Sequence, residues 1–444
     1  MHVTPAPPVA HLMKTMGTEG VMAALAAAED GRTRAEYLHW DKLQHLEPPV
    51  GLSPELWWLK VKLARNDQLR RLPLRDRNGL PLGYTLPDTV LRSLHQIDQH
   101  GGTALAGGVA VSDRDSGRRF VVNSLMEEAI RSSQLEGATT SREVAKELLR
   151  SGREPLNRSE QMVANNYRAL QFMRDGIGDT LTPEAVLELH RTLTLETLDE
   201  PGAAGRLQRP GEERVRVYDP AGKVLYFPPP ADQLPERLDL LCQFANADDD
   251  TDPFVHPVLR SILLHFWLAY DHPFLDGNGR TARILFFWAM RKHGYWFAEC
   301  LPISRLIRKA PGQYSRAFLE TETDEGDTTY FILHQLQVIE QAIADFDIYV
   351  ENEVAEQRDL KRMLHGIDGV NGRQLVLLNH ALKHPDHRYT FAGHAHSNRV
   401  THETARADLG GLAERGLLIR RRRGRTYEFE PAPDLPQRLK ESAP

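Results

Sequence analysis

The chain has 444 residues, 41% of them apolar, enough for roughly two to four domains with cores of their own. Lys and Arg total 55 against 61 Asp and Glu, and the net charge of −6 excludes a chain that is basic throughout and coats nucleic acid or acidic membranes. The two cysteines, Cys242 and Cys300, cannot build a disulfide framework or a four-thiolate zinc site, and their apolar surroundings suit buried, reduced thiols in a cytoplasmic protein.

Residues 1–35 start without a charged-then-apolar signal pattern, so secretion is not expected. They read as a leader with Pro5, Pro7 and Pro8 followed by Ala23 to Ala28, without a convincing period, and are expected to be poorly ordered. From Tyr37 to Leu63, Trp40, Leu43, Trp57 and Trp58 flank the turn signal Pro48-Pro49 and predict a small helical module. A hairpin around Asn78-Gly79 and a helix from Leu86 to His100 follow.

The stretch Asn123 to Glu136 predicts a helix with Asn123 or Ser124 as its cap, Glu127 and Glu128 in its first turns and Gly137 as its stop. Amphipathic helices are then expected at 141–150, 159–175, 183–195, 235–245, 256–271, 279–293 and 327–351. Within this helical region, residues 214–218, 219–222 and 223–227 read as strand, turn and strand before a run of three prolines. The longest apolar run, Ser261 to Tyr270, is far shorter than the ~20 residues of a membrane span.

Residues 370–430 follow their own plan: helices at 374–383, from Thr390, and at 402–415, then two strands around the basic turn Arg420 to Arg425. Helix, helix, helix, hairpin describes a winged helix-turn-helix. Arg399, Arg406 and Arg422 belong to a locally basic surface suited to DNA phosphates, with a protein-contact module as the competing reading. His384, His387, His394 and His396 have no cysteine or regularly spaced carboxylate beside them and read as solvated loop histidines, not as a metal site.

Chemistry concentrates in residues 272–283, HPFLDGNGRTAR. Gly277, Asn278 and Gly279 permit backbone conformations in which successive N–H groups converge on an anion at the start of the next helix. Arg280 and Arg283, three apart on that helix, face a polyphosphate together. Asp276 offers a carboxylate oxygen for Mg²⁺, and His272 has the near-neutral pKa of a general base. Base, metal ligand, anion nest and two arginines within twelve residues describe a nucleotidyl- or phosphoryl-transfer site, and no GxxxxGK[ST] loop, kinase signature or HExxH provides an alternative.

This string resembles the Fic motif, HxFx[DE]GNGRxxR, at every defining position. The resemblance extends over about residues 120–350. Ser132 to Gly137 (SSQLEG) is similar to the family's inhibitory pattern [ST]xxxE[GN]. The hairpin at 214–228 looks like its target-presenting flap, and Ser304 and Tyr314 sit where similar proteins carry a Ser and a Tyr after the catalytic helix. The implied fold is mainly α, a Fic-fold helical core with a β-hairpin flap plus the winged helix-turn-helix. The implied domains are a leader (1–35), a helical extension (36–118), the core (119–352, inhibitory helix at about 123–137) and the C-terminal module (370–430).

The implied activity is transfer of AMP from ATP to a hydroxyl of a target protein. His272 would act as base, Asp276 as Mg²⁺ ligand, Gly277 to Gly279 and the Asn278 side chain as the grip on the α- and β-phosphates, Arg280 on the β-phosphate and Arg283 on the γ-phosphate. Ser132, Glu136 and Gly137 would form the inhibitory element, with Glu136 diverting Arg283 from the nucleotide. Tyr218, Lys223 and Tyr226 of the flap would tune target choice, and self-association into a homodimer is a further implication. Two alternatives stand beside this: the reverse reaction, removal of AMP from a modified protein, and a nucleotide-sensing, DNA-binding transcription regulator. His265, Trp267 and Tyr270 read as core residues, Asp271 departs from the residue commoner in the family, and Asn165 and Asn166 are expected to satisfy buried backbone.

Overall fold

The computed structural model describes residues 3–27, 36–106, 114–214, 217–218, 224–248, 250–364, 369–423 and 426–441. The chain is mainly helical and divides into two compact units, Met1–Ala344 and Asp345–Pro444.

In the first unit, the leader departs from expectation: helix α1 (Val9–Ala26) buries Val9, Leu12 and Ala24 against Trp40, Leu43, Trp57 and Trp58. Gly17 sits inside it at φ +64°, so the two halves present their apolar residues in different phases. A search for one helical period therefore fails. Helices α2 (Trp40–Leu43) and α3 (Pro54–Asp67) follow, the latter capped by the Ser53 hydroxyl. Strands β1 (Arg70–Arg75) and β2 (Pro81–Tyr84) are antiparallel. The Asp76 carboxylate closes their turn by accepting from the Asn78 and Leu80 N–H groups, both at 2.8 Å, and Gly79 supplies φ +83°.

Helix α4 (Asp88–Ala106) leads to α5 (Arg114–Leu135), which begins nine residues before the expected cap. Asn123 and Ser124 are interior to it, because cap-favouring residues are tolerated mid-helix when tertiary packing fixes the segment. Its end is as expected: Gly137 takes φ +95°, Ala138 N–H reaches the Ser133 carbonyl and Gly137 N–H the Gln134 carbonyl. This is a Schellman ending with Glu136 as the last half-helical residue. Helices α6 (Arg142–Ser151), α7 (Arg158–Asp175) and α8 (Pro183–Thr194) pack next, each with a side-chain cap, from Ser141, Asn157 and Thr182. Two short strands, β3 (Val217–Tyr218) and β4 (Val224–Tyr226), pair antiparallel before α9 (Leu234–Asn246). Lys223 and the Tyr218 side chain lie outside the described residues.

The centre is the pair α10 (Pro257–Asp271) and α11 (Asn278–Lys292). Both are buried nearly all round, as a core helix is, so the six-residue connection between them is held at both ends. Helices α12 (Ile303–Lys309), α13 (Pro311–Thr323) and α14 (Thr329–Leu364) complete the unit, and α14 continues past its boundary. The Thr328 N–H and the Gly83 carbonyl join at 2.8 Å, which ties the β2 edge to the segment entering α14.

The second unit contains α15 (Gly372–Lys383), a two-residue β5 (Tyr389–Thr390), α16 (Phe391–Asn398), α17 (His402–Glu414), β6 (Leu418–Arg423), β7 (Thr426–Pro431) and α18 (Leu435–Glu441). The sheet order is β5-β7-β6; β5 and α18 were not expected. The Asp408 carboxylate, 2% exposed, accepts from Asn371, Arg373 and His394 and so ties the starts of α15 and α16 to α17. His394 is thus a buried structural residue on a helix, in contrast to the expected loop position, because its ring completes a carboxylate's bonding in the core. His384, His387 and His396 are exposed. Among the described residues no cluster of His, Cys, Asp or Glu is placed to hold a metal ion, and no helix is long and apolar enough to cross a membrane.

Docking of α1 makes Leu12→Ala a core deletion. It is expected to lower the unfolding free energy of the first unit by about 2–4 kcal/mol in urea melts, whereas a change below about 0.5 kcal/mol, as at an ordinary surface position, would contradict the docking.

Candidate active site

The connection between α10 and α11 is built by its own side chains. His272 ends α10 in the left-handed region, φ +47°, a conformation uncommon for residues other than glycine and kept where surrounding structure enforces it. The Asn278 side chain accepts from Phe274 N–H and donates to the Phe274 carbonyl, both at 2.9 Å. It therefore clamps the loop and is not available to grip a phosphate, contrary to the expectation from the motif: at 2% exposure an amide takes the nearest complementary backbone pair. Gly277 takes φ +82°, and a Cβ there would come 2.9 Å from Thr194 Cγ2.

His190, which the sequence reading missed, supports this loop from below. Its ring stacks on Phe274 at 3.8 Å. Gly205 N–H donates to Nδ1 at 3.0 Å, so the proton is on Nε2 and is donated to the Asp276 carbonyl at 2.8 Å. Burial lowers its pKa to about 4, which keeps this tautomer neutral. Arg214 donates to the carbonyls of Asp271 at 2.7 Å and His272 at 3.0 Å. The unusual Asp271 is 3% exposed and is held by Arg237 at 2.6 Å and Trp267 Nε1 at 3.0 Å, and Arg237 also reaches the Arg75 carbonyl of β1. One arginine thus links the N-terminal hairpin to the residue before His272.

His272 Nδ1 faces the Ala269 carbonyl at 3.3 Å, which places the proton there and leaves Nε2 as the free basic atom. Burial lowers the pKa of His272, the Arg214 charge adds to this, and the Ala269 carbonyl, Glu136 and Asp276 oppose it. Asp276 has a partly exposed carboxylate, one oxygen accepting from Gly277 N–H at 2.5 Å and the other 3.4 Å from Arg280. Arg280 is fully buried. It donates to the Leu193 carbonyl at 3.2 Å, and its Nε has no partner among the described residues.

Arg283, 1% exposed, donates from Nε to Ser132 Oγ at 3.0 Å, and from Nη2 to the Ser132 carbonyl at 3.3 Å and to Glu136 Oε1 at 2.8 Å. The expected Glu136–Arg283 pair is present. Glu136 Oε1 also lies on Gly279, where a Cβ would come within 2.3 Å of it. A carboxylate oxygen therefore rests over the first turn of α11, where helix N–H groups lack intrahelical partners and the macrodipole favours an anion.

On α5, Glu128, Ser132 and Glu136 are spaced by four and share one face. Glu128, expected in the first turns of this helix but placed in its C-terminal half because α5 starts at Arg114, is 3% exposed and accepts from Ser304 N–H at 3.1 Å and Ser304 Oγ at 2.5 Å. Burial pushes its carboxyl up to about 7, opposed by the Ser304 bonds and Arg283. Tyr314 joins His265 Nε2 at 3.0 Å. Asn165 donates to the Leu195 carbonyl and Asn166 to the Ala129 carbonyl, the backbone roles expected of them.

Tyr226 is 9% exposed with its ring 4.9 Å from Tyr270; strand alternation turns it inward, away from the outward face of the hairpin. Phe227 is outward, 44% exposed. Arg399, Arg406 and Arg422 are exposed in the second unit.

Residues 180–290 match the family model described as Fic/DOC family. This segment is similar to a Fic domain. The match includes the whole 272–283 segment, His190, Arg214 and Arg237, whereas Ser132 to Gly137 and the second unit lie outside it. The chain is 24% identical over 186 residues to "Protein adenylyltransferase Fic" of Nematostella vectensis, which covers 40% of each. It is 27% identical over 232 residues to "Protein adenylyltransferase fic-1" of Caenorhabditis elegans, 50% of this chain and 41% of that one. The chain thus spans about two-fifths of the length of these curated relatives. Among solved structures, a Fic family protein from Desulfovibrio desulfuricans G20 aligns with TM-score 0.49 and 19% identity, over 79% of this chain and 98% of its own. Fic-1 of C. elegans aligns with TM-score 0.44 and 20% identity, over 59% and 71%.

Glu128, buried on the face of α5 that carries Ser132 and Glu136, gives a pH test. Its folded pKa, about 7, lies above the ordinary 4.5, so its contribution to stability is present below about 4.5 and is lost as pH rises through about 7. Glu128→Gln stays neutral throughout. Its stability relative to wild type is expected to improve between about pH 5 and pH 8 by up to about 3 kcal/mol in denaturant titrations; a difference that does not vary with pH would contradict the assignment.

Proposed function

We propose that this protein is a protein adenylyltransferase of the cytoplasm that moves AMP from ATP to a hydroxyl side chain of a target protein, or of itself, and that Glu136 holds it inactive. The observation that carries this reading is Arg283, whose charged donors beside the start of α11 are committed to Ser132 and Glu136. The names of the curated relatives support the activity, and the free, buried Cys242 and Cys300 fit a reducing compartment.

In the forward reaction the target oxygen attacks the α-phosphorus of ATP, its proton passes to His272 Nε2, and the bond to the β-phosphate oxygen breaks to release diphosphate. The lowered pKa of His272 keeps Nε2 available at neutral pH. The N–H groups of Asn278 and Gly279 at the start of α11 suit the phosphates, Gly277 N–H being taken by the Asp276 carboxylate and Arg280 lying buried beneath the turn, and the Asn278 side chain holds the loop that presents them. Asp276 fits a Mg²⁺ ion, since its carboxylate is partly exposed and Mg²⁺ is commonly held by one or two carboxylates with substrate phosphates. When bound, the ion neutralises charge on the phosphates and orients them. Release of Arg283 from Glu136 frees a fork for the γ-phosphate. The outer edges of β3 and β4 have no strand partner among the described residues and suit an extended target segment held by β-augmentation.

The second unit supports a further reading as a DNA-binding winged helix. On β6, Arg421 and Arg423 face Glu430 and Glu428. Arg422 alternates away from them, Arg406 is exposed on α17 and Arg399 is exposed just before it. Alanine at each of these three is expected to weaken full-length protein binding to duplex DNA and to reduce the salt dependence by about one unit of slope for each phosphate no longer neutralised. Unchanged slopes would assign the unit to protein contacts.

Incubation with Mg²⁺ and α-labelled ATP tests the central reading. Glu136→Gly is expected to raise label incorporation about 10- to 100-fold, the scale of one charged hydrogen bond, and adding His272→Ala to lower it by about 10²–10⁴. The acid limb of the Glu136→Gly rate is expected below pH 6.5, the unperturbed histidine value. Absence of label in every variant despite ATP binding, with AMP released from a pre-modified protein, would favour the reverse reaction.

A further inference from the structure

Beside the flap lies a cleft of about 580 Å³, separate from the α10–α11 connection and bounded by the β1–β2 turn, β4 with Phe227, Tyr270 and the end of α13. Its walls combine aromatic and apolar residues, Tyr226, Phe227, Tyr270, Leu80 and Leu82, with three basic ones, Lys62, Arg71 and Arg77, which its five acids, Asp76, Glu322, Asp324, Glu325 and Asp327, outnumber; Arg77 lies over the Phe227 ring at 5.6 Å. Phe227 and Leu80 are exposed at its rim, 44% and 64%.

The acids of this cleft differ in one respect. The Asp76 carboxylate is taken by the turn N–H groups of Asn78 and Leu80. Asp324 pairs with Lys62 at 2.7 Å and accepts from Tyr330 at 2.8 Å. Asp327 accepts from Tyr37 and from Thr329 N–H. Glu325 lies 3.7 Å from Lys62. Glu322, in the last turn of α13, has no hydrogen bond or ion pair among the described residues, and desolvation alone pushes its carboxyl up to about 8. A desolvated carboxylate without a partner is costly, and that cost is relieved by an incoming cation. The C-terminal end of a helix favours a positive charge, aromatic faces attract one, and apolar walls take the methylene stem behind it.

We propose that this cleft is a specificity subsite that takes a lysine or arginine side chain of the protein segment to be modified, with Glu322 as the counter-charge. The inference rests on the adenylyl-transfer reading. It adds a requirement on the sequence around the accepting hydroxyl. Tyr270 precedes His272 by two residues, so their Cα atoms are within about 7.6 Å. An extended segment along the flap rises about 3.3 Å per residue and sets the cation about two to five residues from the hydroxyl. The charged head displaces the proton of Glu322, and no covalent step is involved.

Fluorescence anisotropy on the full chain carrying Glu136→Gly tests this. The probe is a set of extended peptides with one lysine stepped from two to five residues on either side of a tyrosine, each with its lysine-to-alanine counterpart. At one offset the lysine peptide is expected to bind about tenfold tighter than its counterpart, the scale of one charge-assisted hydrogen bond. The difference should vanish in Glu322→Gln and invert toward a glutamate peptide in Glu322→Lys. Equal binding of lysine and alanine peptides at all offsets, or a preference that survives Glu322→Gln, overturns the subsite. Labelling with α-labelled ATP in the same samples separates the two ideas. Self-labelling with no peptide preference removes the subsite and leaves the transferase reading; a Glu322-dependent preference with no label anywhere retains the cation subsite and removes adenylyl transfer.

Discussion

Arg283 is a guanidinium at 1% exposure, and a charge so deeply placed requires acceptors on every side that water has left. It finds them on one helix, α5, through the hydroxyl and carbonyl of Ser132 and the carboxylate of Glu136. The remainder of the first unit serves to keep that helix and the start of α11 in register. Asn166 fastens α5 to α7 through the Ala129 carbonyl and Ser133, Glu128 fastens it to the start of α12, and the Schellman ending at Gly137 sets where Glu136 projects. The glycine after the glutamate has a physical role in this pattern: it permits the left-handed turn that directs the carboxylate onto Gly279.

The loop before α11 obeys a second constraint. Its conformation is not the relaxed one for His272, and it is enforced from several directions: by Asn278 within the loop, by His190 below it, and by Arg214 on the carbonyls of residues 271 and 272. This leaves one nitrogen of His272 free and the first turn of α11 open to an anion, with a carboxylate already resting there. The substitution of an aspartate at 271 is accommodated by Arg237, which carries the constraint onward to β1.

Much of this was legible from the residues. The 272–283 segment states its chemistry in twelve consecutive positions, and the pairing of Glu136 with Arg283 was implied by the resemblance, a carboxylate at a helix end being favoured by a nearby cation. What was not legible involves partners distant in sequence. His190, Arg237 and Glu128 carry no local signature, since their roles depend on a carbonyl or carboxylate that only the fold brings near. Asn278 was misread because motif spacing gives its position but not which backbone pair its amide would take. The leader was misread for a different reason: Gly17 divides α1 into two halves whose apolar faces are out of phase, and periodicity cannot see a helix across such a break. Tyr226 shows the limit of reading a short hairpin, where one residue of register decides between core and solvent.

The account depends on Arg283 being shared between Glu136 and the terminal phosphate of a nucleotide, and the comparison of ATP with ADP isolates that phosphate. Isothermal titration of both nucleotides, with Mg²⁺, into wild type and Glu136→Gly would measure it. The account predicts that the substitution tightens ATP about tenfold or more beyond any gain for ADP, the scale of one charged hydrogen bond. An equal gain for both nucleotides, or none for either, would contradict it.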